Sequence, residues 1–328
     1  MKSLFAITFA SFYGLALRGV FGFFAGSMEV MGLAFLCLSP LVIGFLTIFF
    51  WPREKVKSRS AAFGRPWLTS LAILLITMLF EVEGAICWIM IFPIFGIAAG
   101  FGGMIAYEFI NGEPVGEERA DVLDDNDWMK PTNLKVSVLM LLPMLIGVVE
   151  GDRTSSSQYA LLQETVVIEA SPQEVWNTIT SINIVNHSEK ETYFTDAMGF
   201  PKHLRTILDS CVVGGKRMAY YEKGLYFEET ITELVPFEKL VLSIDVDPTK
   251  IPPTVLDEHI VIGGKHVDVI EDIYTLKEKS DGTTLLTLSN QYVINTPFNW
   301  YAGIWAKYLM KDLLKGELNM MKVRSELD

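Results

Sequence analysis

The chain has 328 residues, of which 50% are hydrophobic, and a formal net charge of −12 at pH 7. Long apolar runs dominate residues 1–150, whereas residues 151–328 have the composition of an ordinary soluble domain. This second part carries 26 acidic residues against 17 basic ones, which argues against a nucleic-acid partner. The three cysteines predict no disulfide framework. We therefore expect two domains, a transmembrane helical domain at 1–150 and a soluble domain at 155–328.

Five apolar runs in the first part predict an all-α transmembrane bundle. The runs cover residues 4–25, 30–51, 66–81, 85–110 and 133–150. A helix needs about 20 apolar residues to cross a bilayer, and the fifth run reaches that length only with its flanks. Arg18 lies inside the first run, where an unpaired charge is costly, so we expect it to pair with Glu81 or Glu83. Such a pair serves either the structure of the bundle or an ion or proton site.

The loop between the second and third runs sets the expected orientation. Five basic residues lie between positions 53 and 65, and basic loops stay in the cytoplasm. The protein is then an integral protein of the plasma (inner) membrane, with its soluble domain on the outer, extracytoplasmic side. If the fifth run does not span, the soluble domain lies in the cytoplasm instead.

The second part has the pattern of an α+β domain. A strand over residues 164–170 leads to a helix start at Ser171, where Glu174 completes a capping box. Several strands follow, with a tight turn at Lys223–Gly224 and another at residues 280–282. A long helix is expected from Pro297 to about Glu326, with Thr296 as its cap.

One face of this long helix is apolar and predicts the face that packs on the sheet. The apolar residues recur at helical spacing: Ala302, Trp305, Leu309, Leu313, Gly316, Met320 and Val323. The opposite, polar face carries Lys307, Lys311, Lys315 and Glu317. A long helix held by a curved antiparallel sheet can enclose an apolar pocket.

These segments carry a family resemblance. The stretches ETVVIEASPQEVW, GLYFEETITELVP and TPFNWYAGIWAKYLMKDLL, in this order, resemble the START-like superfamily, also called SRPBCC or polyketide cyclase/dehydrase-like, over residues 163–326. The resemblance implies a helix-grip fold, in which an antiparallel sheet wraps a long C-terminal helix around a cavity. Members bind lipids, sterols, polyketides and other apolar molecules, and some are enzymes. The superfamily has no shared catalytic motif that could be carried over to this chain.

Strand alternation predicts which side chains line the pocket. The candidate ligand-binding residues are Phe227, Glu229, Leu242, Leu288, Asn290, Tyr292, Trp305 and Leu309. Glu229 and Asn290 are the polar exceptions, and a few polar groups in an apolar cavity orient a small molecule. The alternative for Glu229 is a solvated position at the cavity mouth or an ion pair with Arg217.

A second candidate site surrounds Gly263–Gly264, which has the pattern of a two-residue hairpin loop. That loop pairs Ile262 with Lys265 and places four side chains on one face of the hairpin. These candidate metal ligands are Asp257, His259, His266 and Asp268. Alternatively Asp268 orients His259 for acid–base catalysis, or the face is simply solvated. The candidate catalytic residues are therefore His259, Asp268 and Glu229.

The sequence thus favours membrane-tethered binding, sensing or transfer of a hydrophobic small molecule or lipid. One alternative is an enzyme of the polyketide cyclase type, and another is a non-catalytic interaction module. The expected partners are the ligand and the bilayer, with no nucleic acid, and no motif predicts a cofactor.

Overall fold

The computed structural model describes residues 2–24, 27–28, 30–80, 82, 85–112, 131–151, 157–181, 184–186, 189–190, 192–248 and 261–327. The chain divides into two compact units, Met1–Thr154 and Ser155–Asp328. The architecture is α+β, with apolar helices followed by an antiparallel sheet and a long C-terminal helix.

The regular structure described in the first unit is entirely helical. Its helices are α1 (Lys2–Phe23), α2 (Ser39–Phe49, preceded by a π-helical turn at Ala34–Leu38), α3 (Arg59–Gly64), α4 (Pro66–Leu79), α5 (Ala85–Gly112) and α6 (Pro131–Glu150). Three described stretches are long and apolar enough to cross a membrane, namely Lys2–Phe23, Arg59–Leu79 and Ile86–Asn111. The apolar helical stretch Ala34–Phe49 is shorter. Glu81 and Glu83, the expected partners of Arg18, lie outside the described residues.

Glycine lets helices α2 and α5 approach each other closely. A Cβ added at Gly44 would overlap the backbone carbonyl of Ala99, and one at Gly102 would overlap the carbonyl of Leu41. Small residues at helix contacts are typical of membrane bundles, because packing rather than the hydrophobic effect holds the helices together in lipid.

The second unit is built on a seven-stranded sheet in the order β1-β7-β6-β5-β4-β3-β2. Its strands are β1 (Gln158–Ile168), β2 (His203–Leu208), β3 (Lys216–Tyr221), β4 (Tyr226–Val235), β5 (Lys239–Asp245), β6 (Val267–Glu278) and β7 (Thr284–Ile294), and every neighbouring pair is antiparallel. Helices α7 (Pro172–Thr180) and α8 (Phe194–Ala197) lie between β1 and β2, and α9 (Asn299–Ser325) follows β7. This is the expected helix-grip order.

Two local predictions are confirmed by backbone geometry. Ser171 caps α7 through the amide of Glu174, whose carboxylate accepts from the Ser171 amide, so the capping box is complete. Lys223 and Gly224 both have positive φ, at 57° and 81°, in the turn between β3 and β4. Positive φ at both central residues is the mark of a type I′ turn, whose twist matches that of the flanking strands.

The predicted start of the long helix is wrong by two residues. Helix α9 begins at Asn299, and Phe298 occupies the cap position without a side-chain hydrogen bond. The Asn299 Oδ1 atom instead accepts hydrogen bonds from the amide and the hydroxyl of Thr296, at 2.7 and 3.0 Å. These bonds close a turn over residues 296–299, and the helical bonds begin with the Phe298 carbonyl, which accepts from the Ala302 amide at 3.1 Å.

The hydrophobic core of the second unit lies between the sheet and the C-terminal half of α9. The helix contributes Leu314, Leu318, Met320 and Met321, which pack with residues from α7 and from the central strands. Each of these four side chains is at most 4% exposed. The first half of α9 has no fully buried residue in its described part. A cavity lies next to the middle of the helix, where the core ends.

Candidate functional site

The cavity has a volume of about 120 Å³ and lies between one face of the sheet and α9. In this measure a single water needs only about 10–15 Å³, so the space admits more than one water molecule. Its lining comes from Lys190, Phe200, Pro201, His203, Arg217, Ala219, Tyr221, Leu225, Phe227, Glu229, Ile244, Ile262, Val269, Asp272, Tyr274, Leu288, Asn290, Met310, Leu313, Leu314 and Glu317.

Apolar side chains form most of the cavity wall. The sheet supplies Phe227, Ile244 and Leu288, among others, because strand alternation sends these residues to the same face. The helix supplies Met310, Leu313 and Leu314. A wall of this kind favours the apolar part of a ligand.

A buried ion pair joins β3 and β4 at the cavity. Arg217 and Glu229 are direct cross-strand partners, and each is 4% exposed. The Arg217 Nε donates to Oε2 of Glu229, and the guanidinium lies 5.7 Å from the ring centre of Tyr274. Burial opposes the charge of Arg217, but Glu229, Tyr274 and Glu317 together outweigh burial, so the pKa of Arg217 rises well above its ordinary value. Arg217 is therefore charged inside the protein.

A second polar pair joins β6 and β7. Asp272 and Asn290 are cross-strand partners, and the Asn290 Nδ2 donates to Oδ1 of Asp272 at 2.6 Å. Burial raises the pKa of Asp272 to about 7, although the hydrogen bond from Asn290 acts in the opposite direction. Nearby Glu229 and Glu317 raise this pKa further, and Arg217 lowers it. Asp272 consequently exchanges its proton near neutral pH.

The third polar group comes from α9. Glu317 accepts a hydrogen bond from Lys190 at 2.9 Å, and its Oε2 lies 3.8 Å from Nδ1 of His203. Burial opposes ionisation of Glu317, but Lys190 and His203 outweigh burial and hold its pKa well below the ordinary value. The His203 ring stacks on Tyr221 at 4.9 Å, and its Nε2 lies 2.7 Å from the Thr206 hydroxyl.

Several buried polar atoms of this cavity have no hydrogen-bond partner among the described residues. They are Oδ1 of Asn290, Oε1 of Glu317, Nη1 of Arg217 and Nδ1 of His203. Buried polar groups in native proteins are almost always hydrogen-bonded, so their accumulation in one cavity indicates a place for water or for a ligand.

The structure brings four of the eight predicted ligand-binding residues to the cavity, namely Phe227, Glu229, Leu288 and Asn290. The other four do not line it. Leu242 is fully buried in the core and Tyr292 is 4% exposed. Trp305 stacks on Phe194 at 6.3 Å, and Leu309 is half-buried one residue before Met310. Ligand contact by any of them stays a prediction.

Most charged residues of the cavity are not among the ligand-binding residues that the sequence predicts. The helical pattern predicts Glu317 on the polar face of the long helix, yet its side chain is only 12% exposed beside Lys190. Met310, Leu313, Leu314 and Glu317 share one helix face at spacings of three and four, and this signal could have found it. Asp272 could have been found from its alternation with Tyr274 along β6.

The predicted site around Gly263–Gly264 lies partly outside the described residues, which include neither Asp257 nor His259. The expected pairing of Ile262 with Lys265 is wrong. Gly263 has a φ of +77°, and the Gly264 amide bonds the Val261 carbonyl at 3.1 Å, so the turn closes one residue earlier. Ile262 instead forms an isolated parallel bridge with Val267.

The remaining two candidate metal ligands have protein partners. His266 is 8% exposed, and its Nδ1 lies 3.0 Å from the Asn295 carbonyl oxygen. Asp268 accepts a hydrogen bond from the Val269 amide at 2.8 Å, and burial raises its pKa. Within the described part of the chain, no three His, Cys, Asp or Glu side chains form a group that could hold a metal ion.

Comparisons with known proteins give likenesses of fold. No family model and no curated protein matches the chain. A START superfamily protein from Mycobacterium smegmatis is 12% identical, with 51% of this chain and 97% of that chain covered and a TM-score of 0.35. Truncated norcoclaurine synthase from Thalictrum flavum is 9% identical, with coverages of 52% and 96% and a TM-score of 0.31. The Aha1 dimer from Colwellia psychrerythraea is 11% identical, with coverages of 50% and 98% and a TM-score of 0.28. Such identities transfer no ligand or reaction, and the helix-grip architecture stands on the order of the strands and α9 themselves.

Proposed function

We propose that the second unit binds a small amphipathic molecule, or the polar end of a lipid, in the cavity between the sheet and α9. The cavity carries this proposal because apolar walls and unpartnered buried polar atoms occur together in it. Small-molecule sites combine the two: the apolar wall contributes affinity, and a few polar groups fix orientation. In a cavity without a binding role, the unpartnered Asn290 Oδ1 and Glu317 Oε1 would only cost stability, because buried acceptors without a hydrogen bond are unfavourable.

The apolar helices of the first unit support a role at a membrane. Three described stretches are long and apolar enough to span one. A binding domain on the same chain as such helices meets membrane-soluble ligands at a raised effective concentration. We therefore propose a membrane-tethered binding, sensing or transfer protein with the basic loop at 53–65 in the cytoplasm. The binding domain then lies on the outer side, provided that α6 crosses the membrane in addition to the three stretches above.

The experiment compares bound molecules in the wild-type chain and in a variant whose cavity is filled. Ala219 lines the cavity and is 1% exposed, so Ala219→Phe places a ring in the space that a ligand would occupy. Thr275→Phe is the matched control, since Thr275 is exposed on β6 and does not line the cavity. Native mass spectrometry of the full chain, released from detergent, measures the mass of any retained molecule.

We expect the wild type and Thr275→Phe to carry the same small molecule and Ala219→Phe to lose it while remaining folded. Equal retention in a folded Ala219→Phe protein would contradict binding in this cavity. Retention lost equally in both variants would show that the effect comes from the added ring rather than from the cavity.

A further inference from the structure

The charged groups that the described residues bring to the cavity do not balance. Three carboxylates, Glu229, Asp272 and Glu317, line it together with two cationic side chains. Each cation is already held by a carboxylate: Arg217 by Glu229, and Lys190 by Glu317 at 2.9 Å. Among the described residues, the hydrogen-bond partner of the Asp272 side chain is the neutral amide of Asn290. With His203 counted as neutral, this described lining has one negative charge in excess when Asp272 is ionised.

The unpartnered buried atoms of the cavity include two acceptors. The Oδ1 of Asn290 and the Oε1 of Glu317 receive no hydrogen bond from a described residue. The other two such atoms are Nη1 of Arg217, whose guanidinium is already paired with Glu229 and lies over Tyr274, and Nδ1 of His203. A ligand that satisfies the two acceptors brings donors, and an ammonium group has three donors and no acceptor.

The walls of the cavity also suit a cation. Tyr221 and Phe227 lie edge to face at 5.2 Å, and Tyr274 and Phe200 line the same space. The faces of aromatic rings attract cations, most strongly where water is excluded. The rings therefore offer apolar contact to a ligand body without opposing a positive head.

We propose that the cavity selects small molecules with a basic amine head on an apolar body, and that Asp272 is the residue that recognises the ammonium. The inference rests on the proposed function, because it requires that the cavity takes up a ligand. Anions are disfavoured, since both cationic side chains are engaged and a further negative charge would face three carboxylates.

The proposal predicts a pH dependence. Asp272 is faced by Arg217 and Tyr221 from β3, Glu229 from β4, Tyr274 on β6, Asn290 from β7 and Glu317 from α9. Its pKa of about 7 means that the carboxyl group is mostly protonated at pH 6 and mostly ionised at pH 8. A primary alkyl amine remains charged throughout, as the lysine ammonium does with a pKa of about 10.4. Amine affinity should therefore rise from pH 6 to pH 8, with proton release on binding near pH 7.

The experiment uses three probes with one apolar chain and different heads: n-hexylamine, n-hexanol and hexanoate. Each is titrated calorimetrically into the full chain in phosphatidylcholine nanodiscs at pH 6 and pH 8, with empty nanodiscs as the reference. The variants are Asp272→Asn and Glu271→Gln. Glu271→Gln removes the same charge from the neighbouring residue of β6, which does not line the cavity.

At pH 8 we expect hexylamine to bind at least about tenfold more tightly than hexanol, as for a hydrogen-bonded charge pair, and hexanoate to bind most weakly. Asp272→Asn should reduce the amine preference to about twofold or less while hexanol still binds, and Glu271→Gln should keep it. Hexanol binding as tightly as hexylamine, tighter binding of hexanoate, or a preference that survives Asp272→Asn would overturn amine recognition but leave the proposed function. Binding of none of the three probes would count against both.

Discussion

The helices of the first unit approach one another through glycine, whereas the sheet and helix of the second unit enclose charged side chains. At Gly44 and Gly102, α2 and α5 leave no room for a single methyl group. At the cavity, by contrast, Arg217 and Glu229 are buried and the Glu317 side chain is 12% exposed, around a space that remains open. The α2–α5 contact of the first unit is thus closely packed, whereas the cavity of the second unit is an open volume surrounded by paired charges. A cavity is therefore expected to be functional in the second unit and disruptive in the first.

The largest expected effect comes from breaking the buried ion pair of the second unit. Arg217→Met should cost about 3–5 kcal/mol, because it leaves the Glu229 carboxylate buried without its counter-charge. The double variant Arg217→Met, Glu229→Leu should recover most of that loss, since an apolar pair of similar size needs no counter-charge. The change in the free energy of unfolding is measured by urea unfolding of the full chain, monitored through hydrogen exchange in peptides from β3 to β7.

The neighbouring pair on the same strands provides the control. Lys216 and Glu228 also meet across β3 and β4, at 2.7 Å, but their side chains are 48% and 43% exposed. Lys216→Met should cost less than about 1 kcal/mol, because water screens an exposed pair. Equal losses of stability in Arg217→Met and Lys216→Met would show that the buried pair matters no more to stability than the exposed pair.

The next effect concerns the glycine contact of the first unit. Gly44→Ala should destabilise the first unit by about 3 kcal/mol, because its methyl group meets the Ala99 backbone and backbone cannot rotate away as a side chain can. Gly19→Ala in α1 is the control, since a Cβ there has nothing within 4 Å. Thermal unfolding of the purified full chain in detergent should rank Gly19→Ala at or above the wild type and Gly44→Ala well below it. If Gly44→Ala unfolds at the same temperature as the wild type, α2 and α5 can move apart without a loss of stability.

A smaller, pH-dependent effect is expected at Asp272. The folded protein keeps a proton on this carboxyl group up to about pH 7, whereas a free Asp releases it near 3.8. Folding therefore takes up a proton between these values, and the second unit loses stability as the pH rises through that window. Asp272→Asn should remove this loss, so that the variant is more stable than the wild type at pH 8 and no more stable at pH 4.

Glu317 acts in the opposite direction and in a different window. Its pKa lies well below the ordinary value of 4.5, because Lys190 and His203 outweigh burial, so its contribution to stability is lost as the pH falls below that value. Stability curves of Asp272→Asn and wild type that run parallel from pH 4 to pH 8 would contradict the raised pKa of Asp272 in the folded protein.

The sequence predicts the helix-grip order, the local signals and two polar residues of the site, but neither Asp272 nor Glu317. Strand alternation placed Phe227, Glu229, Leu288 and Asn290 on the correct face, because side-chain direction in a strand depends only on its neighbours along the chain. The pairing of Asp272 with Asn290 depends on register across two strands, and a β-bulge between Val269 and Glu271 shifts that register. The burial of Glu317 depends on how α9 is rotated against the sheet, which its own apolar stripe indicated only approximately.

The smallest expected effect tests whether the second unit depends on its interior or on its local signals. Ser171→Ala removes the hydroxyl that accepts from the Glu174 amide and should cost about 1 kcal/mol, whereas Ser171→Thr keeps a hydroxyl and should cost less. Hydrogen bonds from Ser171 lower the pKa of Glu174, so the capping box weakens as the pH falls below the ordinary Glu value of 4.5, and the difference between wild type and Ser171→Ala should shrink there. Hydrogen exchange in α7 of the full chain measures this difference. A loss of stability as large as that of Arg217→Met would mean that the cap of α7 contributes as much to the stability of the second unit as the buried ion pair does.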